Sequence, residues 1–195
     1  MIRPKITVID YGVGNLLSVR RAIEHCGAEV FLTSDPGDVL AAKSVIFPGV
    51  GAFANAMDEL HSRGLVEVIK KLGRLGTPIL GICLGMQLLL DESEEFGITK
   101  GLGLIPGRVV PMPKRTLQGE AQKIPHIGWN SLVVSETCCN WRGSILQDVI
   151  PGEATYFVHS YRSITAKASH RLAEFNYGGH LIPAVITKNN VIGCQ

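Results

Sequence analysis

The sequence predicts an α/β protein in which a mainly parallel β-sheet is covered on both faces and extended by antiparallel strands. Two observations lead to this prediction. In the first half of the chain, four short apolar segments alternate with helical segments, as parallel strands and their crossover helices do. In the second half, strand-like segments follow one another with only turn residues between them, which favours antiparallel pairing.

The strands of the first half are buried-type segments, because each is a nearly continuous run of apolar residues. They are KITVI from Lys5, EVFLT from Glu29, SVIF from Ser44 and PILGI from Pro78. Asn15 or Ser18 caps the first helix, and Asp35 caps the second. A long amphipathic segment over residues 54–72 supplies the third helical region, and Gly64 interrupts it.

The second half supplies the added antiparallel strands. Its strand-like segments are ATYFVHSYRSI, RLAEFNYGG, HLIPAVITKNN and VIGCQ. A chain of 195 residues is long enough for one sizeable core, and it contains neither a repeat nor a linker-like tract. We therefore expect a single domain over residues 1–195.

Composition excludes several classes of function. A net charge of +2 gives no reason to expect nucleic acid or an anionic membrane as a partner. The longest apolar runs have the length of strands, and the N-terminal segment leads directly into one. The five cysteines are odd in number and include the adjacent pair Cys138 and Cys139. No pair has zinc-site spacing, so we expect a reduced, cytoplasmic protein without a metal site.

The segment PILGICLGMQLLL reads as a strand, an abrupt turn and a helix, with Cys83 at the turn. Gly81 and Gly85 stand two residues before and after this cysteine. This is the spacing of a nucleophile elbow, with sulfur in place of a serine oxygen. Such a side chain lies at the carboxyl edge of the sheet, where open α/β folds bind ligands. We expect the helix N-terminus to favour a thiolate there.

A cysteine that attacks a carbonyl group needs two N–H donors for the oxyanion that forms. The backbone N–H of Leu84 is one candidate. PGVG, which ends a neighbouring strand, offers a second donor among Gly49, Val50 and Gly51. In the alternative interpretation, Cys83 is a small core residue and both glycine clusters are ordinary strand-end turns.

A thiol nucleophile also needs a base, and the chain has six histidines. His25 and His61 lie on predicted helices among charged neighbours, and His170 lies in a polar loop. The remaining candidates are His126, His159 and His180. Spacing alone does not decide which of these, if any, reaches Cys83.

Five motifs together carry a family resemblance. GICLGMQ resembles the cysteine elbow of class I, triad-type glutamine amidotransferases. IDYGVGN, PGVGAF, PHIGWN and YFVHSYR are similar to motifs in the glutaminase subunits of imidazole glycerol phosphate synthases. The resemblance implies a three-layer α/β sandwich that hydrolyses glutamine without a cofactor. It also implies a (β/α)8-barrel cyclase partner that receives the ammonia, in histidine biosynthesis.

The resemblance also implies a role for individual positions. Cys83 is the nucleophile that forms a glutamyl thioester, and the oxyanion donors come from Leu84, Gly49, Val50 and Gly51. The residues that contact glutamine are Gln87, Glu95, His159, Ser160 and Tyr161. The residues that face the barrel are Asn15, Trp129 and Tyr156.

Two of these positions have alternative interpretations. A zwitterionic amino acid needs an acceptor for its ammonium group, which suits Glu95. Glu95 also belongs to the charged run DESEE, which on its own reads as solvated surface. Trp129 alternatively belongs to the core, since tryptophan usually buries most of its surface.

In the family, the segment GCQ is followed by a histidine and a glutamate that complete the triad with the cysteine. The sequence ends at Gln195, and we expect the native chain to continue with these two groups. Two other functions remain open. One is a paralogous subunit that supplies ammonia to another synthase, such as one that aminates surface sugars. The other is a catalytically silent subunit that only binds a barrel partner.

Overall fold

The computed structural model describes residues 3–195, in which a large central sheet is flanked by helices and two small sheets. The helices are α1 (Leu16–His25), α2 (Pro36–Leu40), α3 (Phe53–Ser62), α4 (Leu65–Leu75) and α5 (Leu84–Leu88). A short 3-10 helix spans Ala168–His170. The first strands are β1 (Lys5–Ile9), β2 (Glu29–Thr33), β3 (Val45–Gly49), β4 (Ile79–Cys83), β5 (Glu92–Ser93), β6 (Thr99–Lys100) and β7 (Gly107–Pro111). The later strands are β8 (His126–Ser131), β9 (Val133–Val134), β10 (Ala154–His159), β11 (Tyr161–Thr165), β12 (Arg171–Tyr177), β13 (His180–Lys188) and β14 (Val191–Cys194).

The central sheet has the strand order β2-β1-β3-β4-β14-β13-β12-β9. Strands β2, β1, β3, β4 and β14 run parallel, and β13, β12 and β9 continue the sheet by antiparallel pairing. The predicted mixture of a parallel core and added antiparallel strands is therefore confirmed. In the register of β3 and β4, Gly49 lies opposite Cys83. This pairing brings the glycine-rich strand end directly beside the cysteine.

Two of the predicted antiparallel segments lie differently. VIGCQ forms β14, which is antiparallel to β13 but parallel to β4. The reason is the tight turn at Asn189, whose φ of 55° reverses the chain and returns it alongside β4. ATYFVHSYRSI is divided at Ser160 into β10 and β11, which pair with β8 and β7 in two separate small sheets.

The central sheet has a hydrophobic cluster on each face. Along β14, Val191 belongs to the cluster with α2–α5, whereas Ile192 and Cys194 pack against the cluster of β10, β12 and β13. The same alternation in β1 places Ile9 in the α2–α5 cluster and Val8 in a cluster with α1. Helices α2–α5 thus cover one face, and α1 and the β8–β10 pair cover the other. This is the three-layer arrangement that the resemblance implies.

The helix boundaries follow from local signals. The Asn15 side chain accepts a hydrogen bond from the backbone of Ser18 at 3.2 Å, so Asn15 is the N-cap of α1. Asp35 caps α2 in the same way. Gly64 has a φ of 68° and separates α3 from α4, as the sequence predicts. None of the helices within residues 3–195 is both long and apolar enough to span a bilayer.

Candidate active site

Cys83 ends β4 and stands at the N-cap of α5, with φ 55° and ψ −114°. A positive φ is uncommon for a residue other than glycine and marks a strained turn. A Cβ at Gly81 would come within 2.7 Å of the Gly85 carbonyl oxygen, and one at Gly85 would overlap the carbonyl oxygen of Phe47. The turn therefore has the geometry that the Gly-Cys-Gly spacing predicts, and both glycines are needed for its close approach.

The Cys83 thiol lies in a largely buried position. Burial raises the pKa of this thiol, and hydrogen bonds from the Leu84 backbone and the Gln195 side chain oppose the rise without cancelling it. The expectation that the helix N-terminus yields a thiolate is therefore wrong for this state of the protein. Desolvation outweighs the hydrogen bond that the backbone of Leu84, at the start of α5, offers to the sulfur. The resting thiol is protonated and needs a base before it can attack.

A cavity of about 440 Å³ opens beside Cys83. Its lining residues are Val50, Gly51, Cys83, Leu84, Gln87, Glu95, Phe96, Val158, His159, Ser160 and Tyr161. All of the predicted catalytic, oxyanion and substrate-binding residues of this chain line it except Gly49, which lies beneath it opposite Cys83. Phe96 and Val158 were not predicted, although each directly adjoins a predicted residue in the sequence. Their exposed apolar side chains gave no signal of a binding role.

The predicted oxyanion donors lie on two sides of the cysteine. Leu84 offers a backbone hydrogen bond to the Cys83 sulfur. On the neighbouring strand, β3 ends at Gly49, and Val50 and Gly51 continue into the cavity lining. Gly51 has a φ of 95° and no heavy atom within 4 Å of the position of a Cβ. The backbone of this segment is therefore accessible to a ligand in the cavity.

Glu95 has a fixed carboxylate at the cavity wall. Its Oε2 atom accepts a hydrogen bond of 2.6 Å from the backbone N–H of Phe53, at the start of α3. Burial, and to a smaller extent the charge of Glu95, raise the pKa of the Tyr161 hydroxyl. Glu95 is thus held in place beside another lining residue, and the solvated-surface interpretation of this glutamate is wrong.

Two carboxamides connect the helix α5 to the thiol. Gln87 is buried, and its Nε2 atom donates to Oε1 of Gln195 at 3.0 Å. Nε2 of Gln195 in turn lies 3.4 Å from Sγ of Cys83. Gln195, which follows β14, is therefore adjacent to the nucleophile.

His159 and His126 are buried neighbours with polar partners in the protein. Nδ1 of His159 lies 2.8 Å from the carbonyl oxygen of Tyr161, and its Nε2 lies 3.3 Å from Nδ1 of His126. Nε2 of His126 lies 2.7 Å from Oδ1 of Asn130, whose amide nitrogen donates to the Asn176 carbonyl. Burial lowers the pKa of His126 and brings that of His159 down to about 4.

The ring nitrogens of His159 are thus occupied by contacts other than Cys83. His180 is elsewhere, with its Nε2 atom 2.9 Å from the Arg115 carbonyl oxygen. In the part of the chain that the structure describes, no histidine is hydrogen-bonded to the Cys83 sulfur. The three histidines that the sequence left as candidates are therefore not placed as its base.

His159 provides a prediction of pH-dependent stability. Its pKa is lower in the folded protein than in the unfolded chain, so between about pH 4 and 6.5 the unfolded chain binds more protons. The free energy of unfolding should therefore fall as the pH falls through this window. Between pH 7 and 4.5, the free energy of unfolding should fall by about 2 kcal/mol less in His159→Asn than in the wild-type protein. Urea unfolding at both pH values measures it, with the exposed His61→Asn as control. An identical fall in wild type and His159→Asn would contradict the prediction.

A face of exposed apolar side chains adjoins the cavity. On the β8–β10 pair, Trp129 lies opposite Tyr156, and Ile127 lies opposite Val158. These four residues, called the apolar face below, are 49–70% exposed. The Trp129 and Tyr156 rings are 5.5 Å apart between centroids. Trp129 is therefore not a core residue, and Val158 belongs both to this face and to the cavity lining.

Comparison with known proteins agrees with this geometry. Residues 7–195 match the family model for "Glutamine amidotransferase class-I". The chain belongs to this family. It is 45% identical over 190 residues to imidazole glycerol phosphate synthase subunit HisH 1 of Legionella pneumophila (strain Lens), covering 97% of this chain and 89% of that protein. The HisH subunit of Geobacillus sp. (strain WCH70) is 47% identical, with 97% and 87% covered.

Two solved structures share the fold. A crystal structure of a glutamine amidotransferase has a TM-score of 0.68 at 16% identity, covering 96% of this chain and 87% of that one. The structure of PurLQS from Thermotoga maritima has a TM-score of 0.64 at 17% identity, with 99% and 86% covered. At these identities the likeness concerns the fold alone. The family membership rests on the sequence relatives.

Proposed function

We propose that the protein is the glutaminase subunit of an imidazole glycerol phosphate synthase and hydrolyses glutamine to glutamate and ammonia. The observation that carries this proposal is a cysteine at a strained elbow, facing a cavity that also contains a fixed carboxylate. The names of the relatives support the particular synthase.

The chemistry follows from the position of the sulfur. Cys83 attacks the side-chain carbonyl carbon of glutamine, and the carbonyl oxygen becomes an oxyanion. The Leu84 N–H and an N–H from the Gly49–Gly51 segment stabilise that charge. The C–N bond then breaks, the leaving group takes the thiol proton by way of the base, and a glutamyl thioester remains. Water cleaves the thioester, which releases glutamate and restores the thiol.

Substrate glutamine presents an ammonium and a carboxylate besides its reacting amide. Glu95 supplies the acceptor for the ammonium group, since its carboxylate is already oriented by the Phe53 N–H. The remaining lining groups of the His159–Tyr161 segment, together with Gln87, border the rest of the substrate.

The base for the thiol comes from the histidine and glutamate that the family motif places after Gln195. Support for this assignment is geometric, because the Gln195 side chain already contacts the Cys83 sulfur. Residues that follow Gln195 in the direction of β14 therefore begin beside Cys83. A buried, protonated thiol requires such a group.

The partner is a (β/α)8-barrel cyclase that docks on the apolar face. An exposed cluster of tryptophan, tyrosine, isoleucine and valine is typical of a protein interface. Because Val158 borders both this face and the glutamine cavity, ammonia formed at Cys83 is released next to the docked subunit. Asn15, which caps α1, is the third residue assigned to the barrel contact beside Trp129 and Tyr156.

The test combines the full-length protein with the cyclase of its own genome and measures glutamate and ammonia release. Glutamine turnover that rises when the cyclase and its ligand are added supports the proposal. Tight binding without any turnover would instead support the catalytically silent subunit. Restored growth of a histidine auxotroph that lacks its own glutaminase subunit distinguishes the histidine pathway from a paralogous synthase.

Truncating the centre of the apolar face should weaken the complex. Trp129→Ala removes the largest exposed ring of that face, and we expect the dissociation constant to rise about 30-fold, or about 2 kcal/mol. Isothermal titration with the cyclase measures this change. Leu75→Ala, at the exposed end of α4, is the matched control and should leave affinity unchanged. Equal affinities for the two variants would place the interface elsewhere.

A further inference from the structure

Tyr11 is a fully buried tyrosine of the IDYGVGN motif, to which the reaction above gives no role. It lies two residues after β1, with 0% of its surface exposed and its ring 5.2 Å from that of Phe47. Its hydroxyl donates a hydrogen bond of 2.8 Å to the carbonyl oxygen of Pro48. Pro48 lies in β3, immediately before the segment that supplies an oxyanion donor.

The hydrogen bond from Tyr11 to the Pro48 carbonyl constrains the whole peptide unit and not only its oxygen atom. The carbonyl of Pro48 and the N–H of Gly49 belong to the same planar peptide unit and point in opposite directions. A hydrogen bond that holds the carbonyl therefore also sets the direction of the Gly49 N–H. Val50, which lines the cavity, follows Gly49 directly.

The Tyr11 hydroxyl also lies where Gly49 packs against the residues that follow Cys83 in the elbow. A Cβ on Gly49 would overlap the Tyr11 hydroxyl, and it would lie 3.0 Å from Cβ of Leu84 and 3.1 Å from N of Gly85. The phenol, Gly49 and the residues that follow Cys83 are thus packed against one another. A shift of the phenol moves the strand end relative to the elbow.

The Val50–Gly51 end of the Pro48–Gly51 backbone has few packing contacts with the rest of the protein. Val50 is 50% exposed, and nothing lies within 4 Å of the position of a Cβ on Gly51. The buried contacts of the segment are therefore concentrated at Pro48 and Gly49. Tyr11 supplies the side-chain hydrogen bond at that end.

We propose that Tyr11 is a positioning residue that holds the Pro48–Gly51 backbone in the orientation in which it stabilises the oxyanion formed at Cys83. The inference rests on the proposed glutaminase function and adds a group that does not touch the substrate. Burial, reinforced by the nearby Cys83, raises the pKa of the Tyr11 phenol. The hydroxyl is therefore protonated at neutral pH and remains a donor when Cys83 ionises.

The experiment compares Tyr11→Phe with Tyr177→Phe in the full-length protein bound to its cyclase. Each change removes one hydroxyl that donates to a backbone carbonyl, that of Pro48 or of Lys123. We expect Tyr11→Phe to lower the kcat for glutamine about 10- to 100-fold and to leave KM within about twofold. Tyr177→Phe should keep its kcat, and the thermal stability of both variants is measured alongside the rates. Rates are expressed per molecule whose Cys83 reacts with iodoacetamide.

A double-mutant cycle separates the coupling between Tyr11 and Gly49 from the individual effects of the two substitutions. Gly49→Ala pushes a methyl group against the Tyr11 hydroxyl, and Tyr11→Phe removes the atom that it meets. The loss of kcat in the double variant should be smaller than the product of the two single losses. Multiplicative losses, or a Tyr11→Phe variant with wild-type kcat, would overturn the inference. An inactive wild-type complex would instead contradict the proposed glutaminase function.

Discussion

Cys83→Ala should abolish ammonia production while the complex with the cyclase still forms. Removing the nucleophile of a catalytic triad typically costs on the order of 10⁴–10⁶-fold in rate, because no other group takes over the covalent step. The substitution deletes one partly buried sulfur at the end of β4, and the apolar face contains no part of Cys83. We therefore expect the two effects to separate.

Two measurements decide this prediction. Glutamate release is assayed with saturating glutamine and cyclase, and complex formation is followed by size-exclusion chromatography. Cys26→Ala, which removes an exposed thiol at the end of α1, is the control and should have the wild-type rate. Parallel loss of binding and activity in Cys83→Ala would show that the cysteine supports the structure and does not act as the nucleophile.

Gly85→Ala should disrupt the elbow by a single methyl group. A Cβ at this position would overlap the carbonyl oxygen of Phe47 in β3, which is backbone and has no other rotamer to adopt. We expect the free energy of unfolding to fall by about 3 kcal/mol, the upper end of the usual cost of overpacking. Activity should fall further than stability, since β3 also leads into Gly49 and the oxyanion segment.

Urea unfolding and the glutaminase assay measure the two effects of Gly85→Ala. The matched control is Gly37→Ala in α2, where the nearest atom to the new Cβ belongs to the side chain of Asp35, at 3.0 Å. That carboxylate oxygen also caps α2, but it belongs to a side chain that can move, so this control should lose less stability than Gly85→Ala. A Gly85→Ala protein with wild-type stability and turnover would mean that the close strand-to-helix approach is not required.

The sequence predicted the structure best where the spacing or type of a few residues favours one local backbone structure. The glycines around Cys83 predicted a strand-to-helix turn because this turn needs two close backbone approaches. Alternating strands and helices predicted the parallel core because parallel strands need a crossover connection, usually a helix. Asn15, Asp35 and Gly64 marked helix boundaries through their own side-chain or backbone chemistry.

Features that depend on distant contacts were not predictable in the same way. The protonated state of Cys83 depends on burial by segments far away in the chain, which the local helix signal does not report. ATYFVHSYRSI divides at Ser160 because its two halves pair with different strands, β8 and β7, which lie elsewhere in the chain. The anchoring of Glu95 by Phe53 joins residues 42 positions apart, so the run DESEE alone favoured a solvated carboxylate.

His126 and His159, behind the apolar face, make three hydrogen-bonding contacts through their rings but carry only two ring N–H protons when both are neutral. Asn130 Oδ1 and the Tyr161 carbonyl each accept one N–H, and two neutral imidazole rings carry one N–H each. The nitrogens of His126 and His159 that face each other at 3.3 Å are then both lone-pair atoms. A third proton would turn this contact into a hydrogen bond and would place a charge in a buried position. Acid therefore tightens the junction between β8 and β10 locally while it lowers the stability of the whole fold.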